Sequence, residues 1–157
     1  MTSPPPYSVR EVDWIADRDA LRAVRWKVFV EEQHVPEDEE WDDEDPVSRH
    51  VVAATAEGTP IGTGRLLRDG HIGRMAVLAQ WRGRGVGSTV LARLLQLARE
   101  ARHAVVRLHA QTHAIGFYEK HGFAVEGEEF MEAGIPHYVM SLRLPRDIRD
   151  QGLGTRG

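Results

Sequence analysis

The sequence predicts an α+β domain in which helices flank a mixed, mostly antiparallel sheet. Three observations lead there. Short segments rich in Val, Ala and Thr recur between turn signals, one wide apolar helical stripe stands in the second half of the chain, and a glycine-rich turn joins a strand directly to that stripe. At 157 residues, 41% hydrophobic and 28% charged, the chain suits one domain that buries about 70% of the surface its unfolded form exposes. No repeat and no Gly/Ser- or Pro-rich linker divides it, so 1–145 is expected to be a single domain. The charged, glycine-rich 146–157 is expected to be a flexible tail.

Taken in order, 7–14 alternates as a first strand, and 17–32 carries Leu21, Val24, Val28 and Phe29 at helical spacing, with Asp17 or Asp19 available as N-cap. After an acidic block, EDEEWDDED at 37–45, the segments 50–56, 61–67 and 71–77 read as a three-stranded meander. Its turns are Glu57-Gly58-Thr59-Pro60 and Asp69-Gly70. Residues 88–101 form the clearest helix, with Val90, Leu91, Leu94, Leu95, Leu97 and Ala98 on one stripe. A buried strand at 104–110, a short helix at 114–121 closed by Gly122, and strands at 123–125 and 137–144 complete the order β-α-(α)-β-β-β-α-β-α-β-β.

Composition narrows the partners. No apolar run approaches the roughly 20 residues of a membrane span, and the N-terminus MTSPPPYSVR lacks the basic-then-apolar pattern of a secretory signal. The absence of cysteine removes disulfides and thiolate chemistry, leaving the cytoplasm as the expected compartment. With a net charge of −4 and scattered basic residues, neither nucleic acid nor a membrane is expected as partner.

The chemistry concentrates at QWRGRGVGS, residues 80–88. A strand, a glycine turn and a helix N-terminus in succession point several unpaired N–H groups one way, and the helix dipole adds positive potential. Glycines let the backbone approach a ligand, so a phosphate or pyrophosphate fits; a turn that serves packing alone is the competing reading. The spacing matches neither G-x-x-x-x-G-K-[ST] nor G-x-G-x-x-G, since Ser88 stands where the third glycine would fall.

Gln80-x-x-Gly83-x-Gly85, with RMAVL before it and FYEKHGF after it, resembles the acyl-CoA signature of the GNAT N-acetyltransferase superfamily. The segments VFVEEQHVPEDEE, GTGRLL, LHAQTHAIGFYEKHGF and EAGIPHYVMSL are similar to its ElaA/YjcF-like branch, and the resemblance spans 26–144. It implies a GNAT fold, acetyl-CoA as donor and an amine as acceptor. It further implies that Met75, Ala76 and Val77 pair their backbone with the pantetheine arm, and that Arg82, Gly83, Arg84, Gly85, Val86, Gly87 and Ser88 hold the pyrophosphate. Gln111 takes the place of a cofactor-contacting asparagine, and Tyr118 that of a tyrosine that protonates the leaving thiolate.

Acetyl transfer needs a neutral amine, a polarised carbonyl and a proton for sulfur, because an ammonium with pKa about 10.4 is no nucleophile. Glu32 and His137 are equal candidates for the base. His109 and His113 have H-x-x-x-H spacing, but across a strand end and a helix start, so no metal is expected. The acidic block reads either as a solvated loop or as a negative field that, with Trp41, draws a cationic amine by charge and cation–π contact. The expected acceptor is therefore a small-molecule or peptide primary amine; a non-catalytic acyl-CoA-binding module is the alternative. The oligomeric state is open, with a homodimer among the arrangements.

Overall fold

A computed structural model describes residues 6–145; the expected tail at 146–157 lies outside the described residues. The strands are β1 (Tyr7–Val12), β2 (Arg49–Thr55), β3 (Pro60–Leu66), β4 (His71–Val77), β5 (Val105–Gln111), β6 (Ala124–Glu132) and β7 (Ile135–Arg143). They form one seven-stranded sheet in the order β1-β2-β3-β4-β5-β7-β6, antiparallel at every junction except the parallel β4–β5 pair. The helices are α1 (Trp14–Arg25), α2 (Glu37–Glu40), α3 (Val86–Glu100) and α4 (Ile115–Lys120). The expected order of elements holds, with boundaries moved by a few residues.

Helix α1 starts earlier than the sequence suggests. Its N-cap is Asp13, whose side chain accepts from the Ala16 N–H at 3.0 Å, rather than Asp17 or Asp19. Trp14 is already drawn into the core, stacked on His50, so the chain turns immediately after β1. The helix also does not run to residue 32 as an α-helix. Trp26–Glu32 winds as a π-helix, with the Gln33 N–H donating to Val28 C=O, and apolar spacing at Val24, Val28 and Phe29 does not distinguish the two pitches.

Helix α3 begins at Val86, two residues before expectation, and lays its apolar stripe on β1–β4. That approach is close because β3 offers Gly62 and Gly64 to it. A Cβ on Gly64 would sit 2.5 Å from Leu94 Cδ1 and 2.8 Å from Val90 Cγ1, so any larger residue there has to push the helix away.

The largest difference is at the C-terminal edge, where β6 runs nine residues instead of the expected three. Every β6 residue except Phe130 is exposed, so the strand has no buried face and leaves no apolar alternation in the sequence. A two-residue turn joins it to β7, with Ala133 at φ 51° and Gly134 at φ 76°, the double positive-φ pattern of a type I′ hairpin.

Two irregularities position the site. The β3–β4 register passes from Thr63↔Ala76 to Arg65↔Gly73, a bulge that leaves Arg74 in the left-handed region at φ 50°. Strand β4 then pairs with β5 only at His71↔Arg107 and Ile72↔Leu108. Beyond Ile72 the two strands part, and the edge of β4 from Gly73 to Val77 opens into a cleft.

Candidate active site

The cleft between the parted strands has a volume of about 1140 Å³ and reaches from the glycine turn to the β6–β7 hairpin. Met75, Ala76 and Val77 form one wall, bonded to β3 on one side and free of strand pairing toward β5. At the glycine turn, Gly83 and Gly85 adopt φ 75° and 83°, and Gly85 is the N-cap of α3 without any side-chain cap. The first intrahelical bond runs from the Thr89 N–H to Gly85 C=O at 3.0 Å, so the amides of Val86, Gly87 and Ser88 have no acceptor within the helix. A 15-residue helix aims its positive end at the same place. The unpaired strand edge, the open glycine turn and the free amides suit the pantetheine and pyrophosphate parts of acetyl-CoA.

The two arginines of the turn are placed differently. Arg84 stacks over the Trp81 ring at 4.9 Å, beside the turn. Arg82 donates to Val77 C=O at 3.0 Å through Nε and to both oxygens of Glu32 at 2.9 and 2.8 Å. Glu32, a candidate base, is thus held in a bidentate ion pair across the cleft mouth. Gln111 is engaged as well: its Nε2 donates to Gln33 Oε1 at 2.8 Å, and its Oε1 bonds His113 Nε2 at 2.7 Å. The Ser88 hydroxyl meets His121 Nε2 at 3.1 Å, which ties α3 to the end of α4.

Gly85→Glu is expected to weaken coenzyme A binding by at least about tenfold, because a carboxylate would stand before the free amides and φ 83° disfavours any side chain. Titration calorimetry on the folded variant measures it; an unchanged Kd removes the anion site from the turn.

Tyr118 lies on α4, packed edge-on against Phe117 and Phe123. Its hydroxyl spans the opening between β5 and β4 and touches Met75 Sδ at 3.7 Å, so it stands at the strand edge. Burial pushes its pKa up to about 12, which keeps the hydroxyl protonated at any working pH. His137, opposite Gln111 on β7, is buried. Its Nδ1 lies 2.7 Å from Ile135 C=O, and since a carbonyl only accepts, Nδ1 is a donor, so in the neutral form of the ring the lone pair is on Nε2. Glu32 and His137 line the same cleft and are not bonded to each other.

The acidic block is divided between carboxylates paired with arginines and carboxylates left exposed. Three of its carboxylates fold inward onto three arginines. Arg25, buried between Trp14 and Trp41, donates Nε to Glu40 at 2.8 Å and Nη1 and Nη2 to Asp45 at 2.8 and 3.1 Å. Arg65 donates to Asp42 at 2.8 and 3.1 Å and to Asp45 at 2.9 Å. Arg74 on the bulge donates to Asp42 at 3.2 Å and to the Glu40 carbonyl at 3.1 Å, and its Nε lies 3.0 Å from the Glu40 carboxylate. Burial pushes the Glu40 carboxyl above its usual range despite these guanidiniums. Trp41 already stacks on Arg22 and Arg25, each at 5.1 Å, so its ring serves internal cations. Glu37, Asp38, Glu39 and Asp43 remain exposed.

Sequence reasoning gave no role to three charged residues of this cleft: Arg65, Arg74 and Glu132. The signal for two was present, since Arg65 and Arg74 are charges inside strands that otherwise read as buried. Of the H-x-x-x-H pair, His109 bonds Glu132 at 2.8 Å and His113 bonds Gln111, so the two rings serve different partners.

Residues 12–144 match the acetyltransferase (GNAT) domain family. The N-acetyltransferase YjcF of Bacillus subtilis is 42% identical over 121 residues, covering 74% of this chain and 86% of YjcF. Among solved structures, an acyl-CoA N-acyltransferase from Pseudomonas aeruginosa superposes with a TM-score of 0.77 at 30% identity, covering 86% of this chain and 98% of that one. Escherichia coli ElaA does so at 0.76 and 27%, covering 90% and 99%.

Proposed function

This chain belongs to the GNAT acetyltransferase family, an acyltransferase using acetyl-CoA, and on that premise we propose that it acetylates the primary amine of a small molecule or peptide. The observation that carries the acceptor chemistry is the pairing, in one cleft, of a protonated tyrosine at the β4 edge with a buried histidine whose free lone pair sits on Nε2. Bound acetyl-CoA supplies the acetyl thioester; the chain supplies the rest. The free amides at Val86–Ser88 hold the anionic end, and the unpaired edge at Met75–Val77 holds the arm, its N–H groups available to a carbonyl.

His137 takes the proton that keeps an alkylamine from attacking, and Tyr118 donates the proton the departing sulfur needs. A free alkyl thiol has a pKa of about 8.5, so complete transfer from a hydroxyl near 12 is uphill by roughly 5 kcal/mol. Tyr118 therefore acts first as a hydrogen-bond donor to the developing thiolate, completing transfer as negative charge collects there. The geometry favours His137 over Glu32 as base, because both Glu32 oxygens are occupied by Arg82 while His137 Nε2 is not engaged by a proton donor.

A panel of primary amines assayed with acetyl-CoA for thiol release tests the proposal. Release that depends on the amine is expected. Acetyl-CoA binding without turnover on any amine would identify an acyl-CoA-binding module instead.

A further inference from the structure

At the far end of the cleft from the glycine turn, Glu132 bridges two histidines. Its Oε1 lies 2.8 Å from Nδ1 of the half-exposed His109, and its Oε2 lies 3.7 Å from Nε2 of the buried His137. With Nδ1 of His137 donating toward Ile135, the neutral ring turns its Nε2 lone pair toward a carboxylate oxygen. Two acceptors converging in this way form a site for a cation that brings its own N–H donors.

The surroundings hold this arrangement in place and leave it negative. Phe130 stacks on His137 at 5.9 Å and meets His109 edge-on at 5.1 Å, which fixes both rings. Glu132 is the last residue before the I′ turn, whose Ala133 sits in a left-handed conformation that disfavours a side chain, a strain of the kind that persists where a functional group must be aimed. Of the other carboxylates lining the cleft, Glu32 is matched by Arg82 and Glu40 by Arg25 and Arg74, while Glu39 is exposed. Glu132 has only imidazoles as partners among the described residues.

Resting on the amine-acetylation reading, we propose that Glu132 is the carboxylate that receives the acceptor's ammonium group and presents it to His137. One N–H⁺ of the ammonium bonds Glu132 while another meets Nε2 of His137. The imidazole takes one proton and becomes imidazolium, the nitrogen lone pair is freed for attack, and the carboxylate 3.7 Å away stabilises the new positive charge. The proton then leaves to solvent past the Glu132–His109 pair, both of whose side chains reach water. Preference for cationic amines thus resides at this hairpin, where the carboxylate adjoins the base, and not in Glu40, Asp42 and Asp45, which arginines pair.

Two acceptors separate this role from a structural one: an alkylamine, which arrives as an ammonium at pH 7, and an arylamine, which arrives neutral. Glu132→Gln should lower kcat/KM for the alkylamine by about 10²-fold, mainly through KM, and for the arylamine by no more than about tenfold and through kcat, since only the stabilisation of the imidazolium is lost there; Glu132→Asp should recover part of the loss. A merely structural Glu132 would lower both equally, and equal losses or no loss overturn the proposal. If the wild-type protein releases no thiol with any amine, the acetylation reading fails, and binding decides the site alone. Adding methylammonium should then shift the His137 ring resonances in the wild type and not in Glu132→Gln; no shift, or the same shift in both, overturns it.

Discussion

Asp45→Ala should destabilise the fold by about 3 kcal/mol, because it removes a carboxylate shared by two nearly wholly buried guanidiniums and leaves Arg25 only Glu40 and Arg65 only Asp42. Arg25 and Arg65 share Asp45, and neither can reach water to recover the loss. For a domain whose total stability lies within roughly 5–15 kcal/mol, that is about a fifth of it or more, and the melting temperature should fall by on the order of 10 °C. Asp43→Asn, an exposed neighbour in the same block, is the control and should change little. Equal melting temperatures for the two variants would mean that the network is open to solvent.

The same network predicts an acid limb. His50 donates Nε2–H to the Asp45 carbonyl at 2.8 Å, and burial holds its pKa below the ordinary value of 6.5. The folded state binds that proton more weakly than the unfolded chain does, so this contribution to stability is present above pH 6.5 and declines as pH falls. Melting temperature against pH follows it. It also follows that removing charge from Asp42 and Asp45 reports on stability before it reports on any attraction of substrate.

Tyr118→Phe should lower turnover by about 10²-fold while leaving donor affinity unchanged. The hydroxyl's one protein contact is the weak one to Met75 Sδ, and the ring keeps its packing against Phe117 and Phe123, so the variant should fold normally. Binding and rate therefore separate: calorimetry with coenzyme A should match the wild type, and steady-state thiol release should not. With its pKa near 12, Tyr118 does not set any alkaline decline in rate below about pH 11. Wild-type turnover in the variant would assign protonation of sulfur to water.

Local patterns made part of this molecule legible from sequence alone. The α3 stripe from Val90 to Ala98 repeats at the helical period, the meander carries its own turn signals, and the glycine turn announces itself because left-handed backbone at Gly83 and Gly85 all but requires glycine. Those features depend on neighbours in the chain, so element order, fold class and the glycine turn could be read before any coordinates. What the tertiary structure decided depends on partners far apart in sequence. Strand β6 is an exposed edge that the hairpin with β7 stabilises, and with neither face buried it carries no apolar alternation. The acidic block looks like a solvated surface until Arg25, Arg65 and Arg74 arrive from α1, β3 and β4 to pair with Glu40, Asp42 and Asp45, of which Glu40 and Asp45 are buried. Glu132 is one glutamate among four on its strand, distinguished only because the pairing of β6, β7 and β5 sets it between His109 and His137. Charge in a sequence is a count; whether it is neutralised, solvated or held ready for a substrate is set by distances of about 3 Å that only the folded chain establishes.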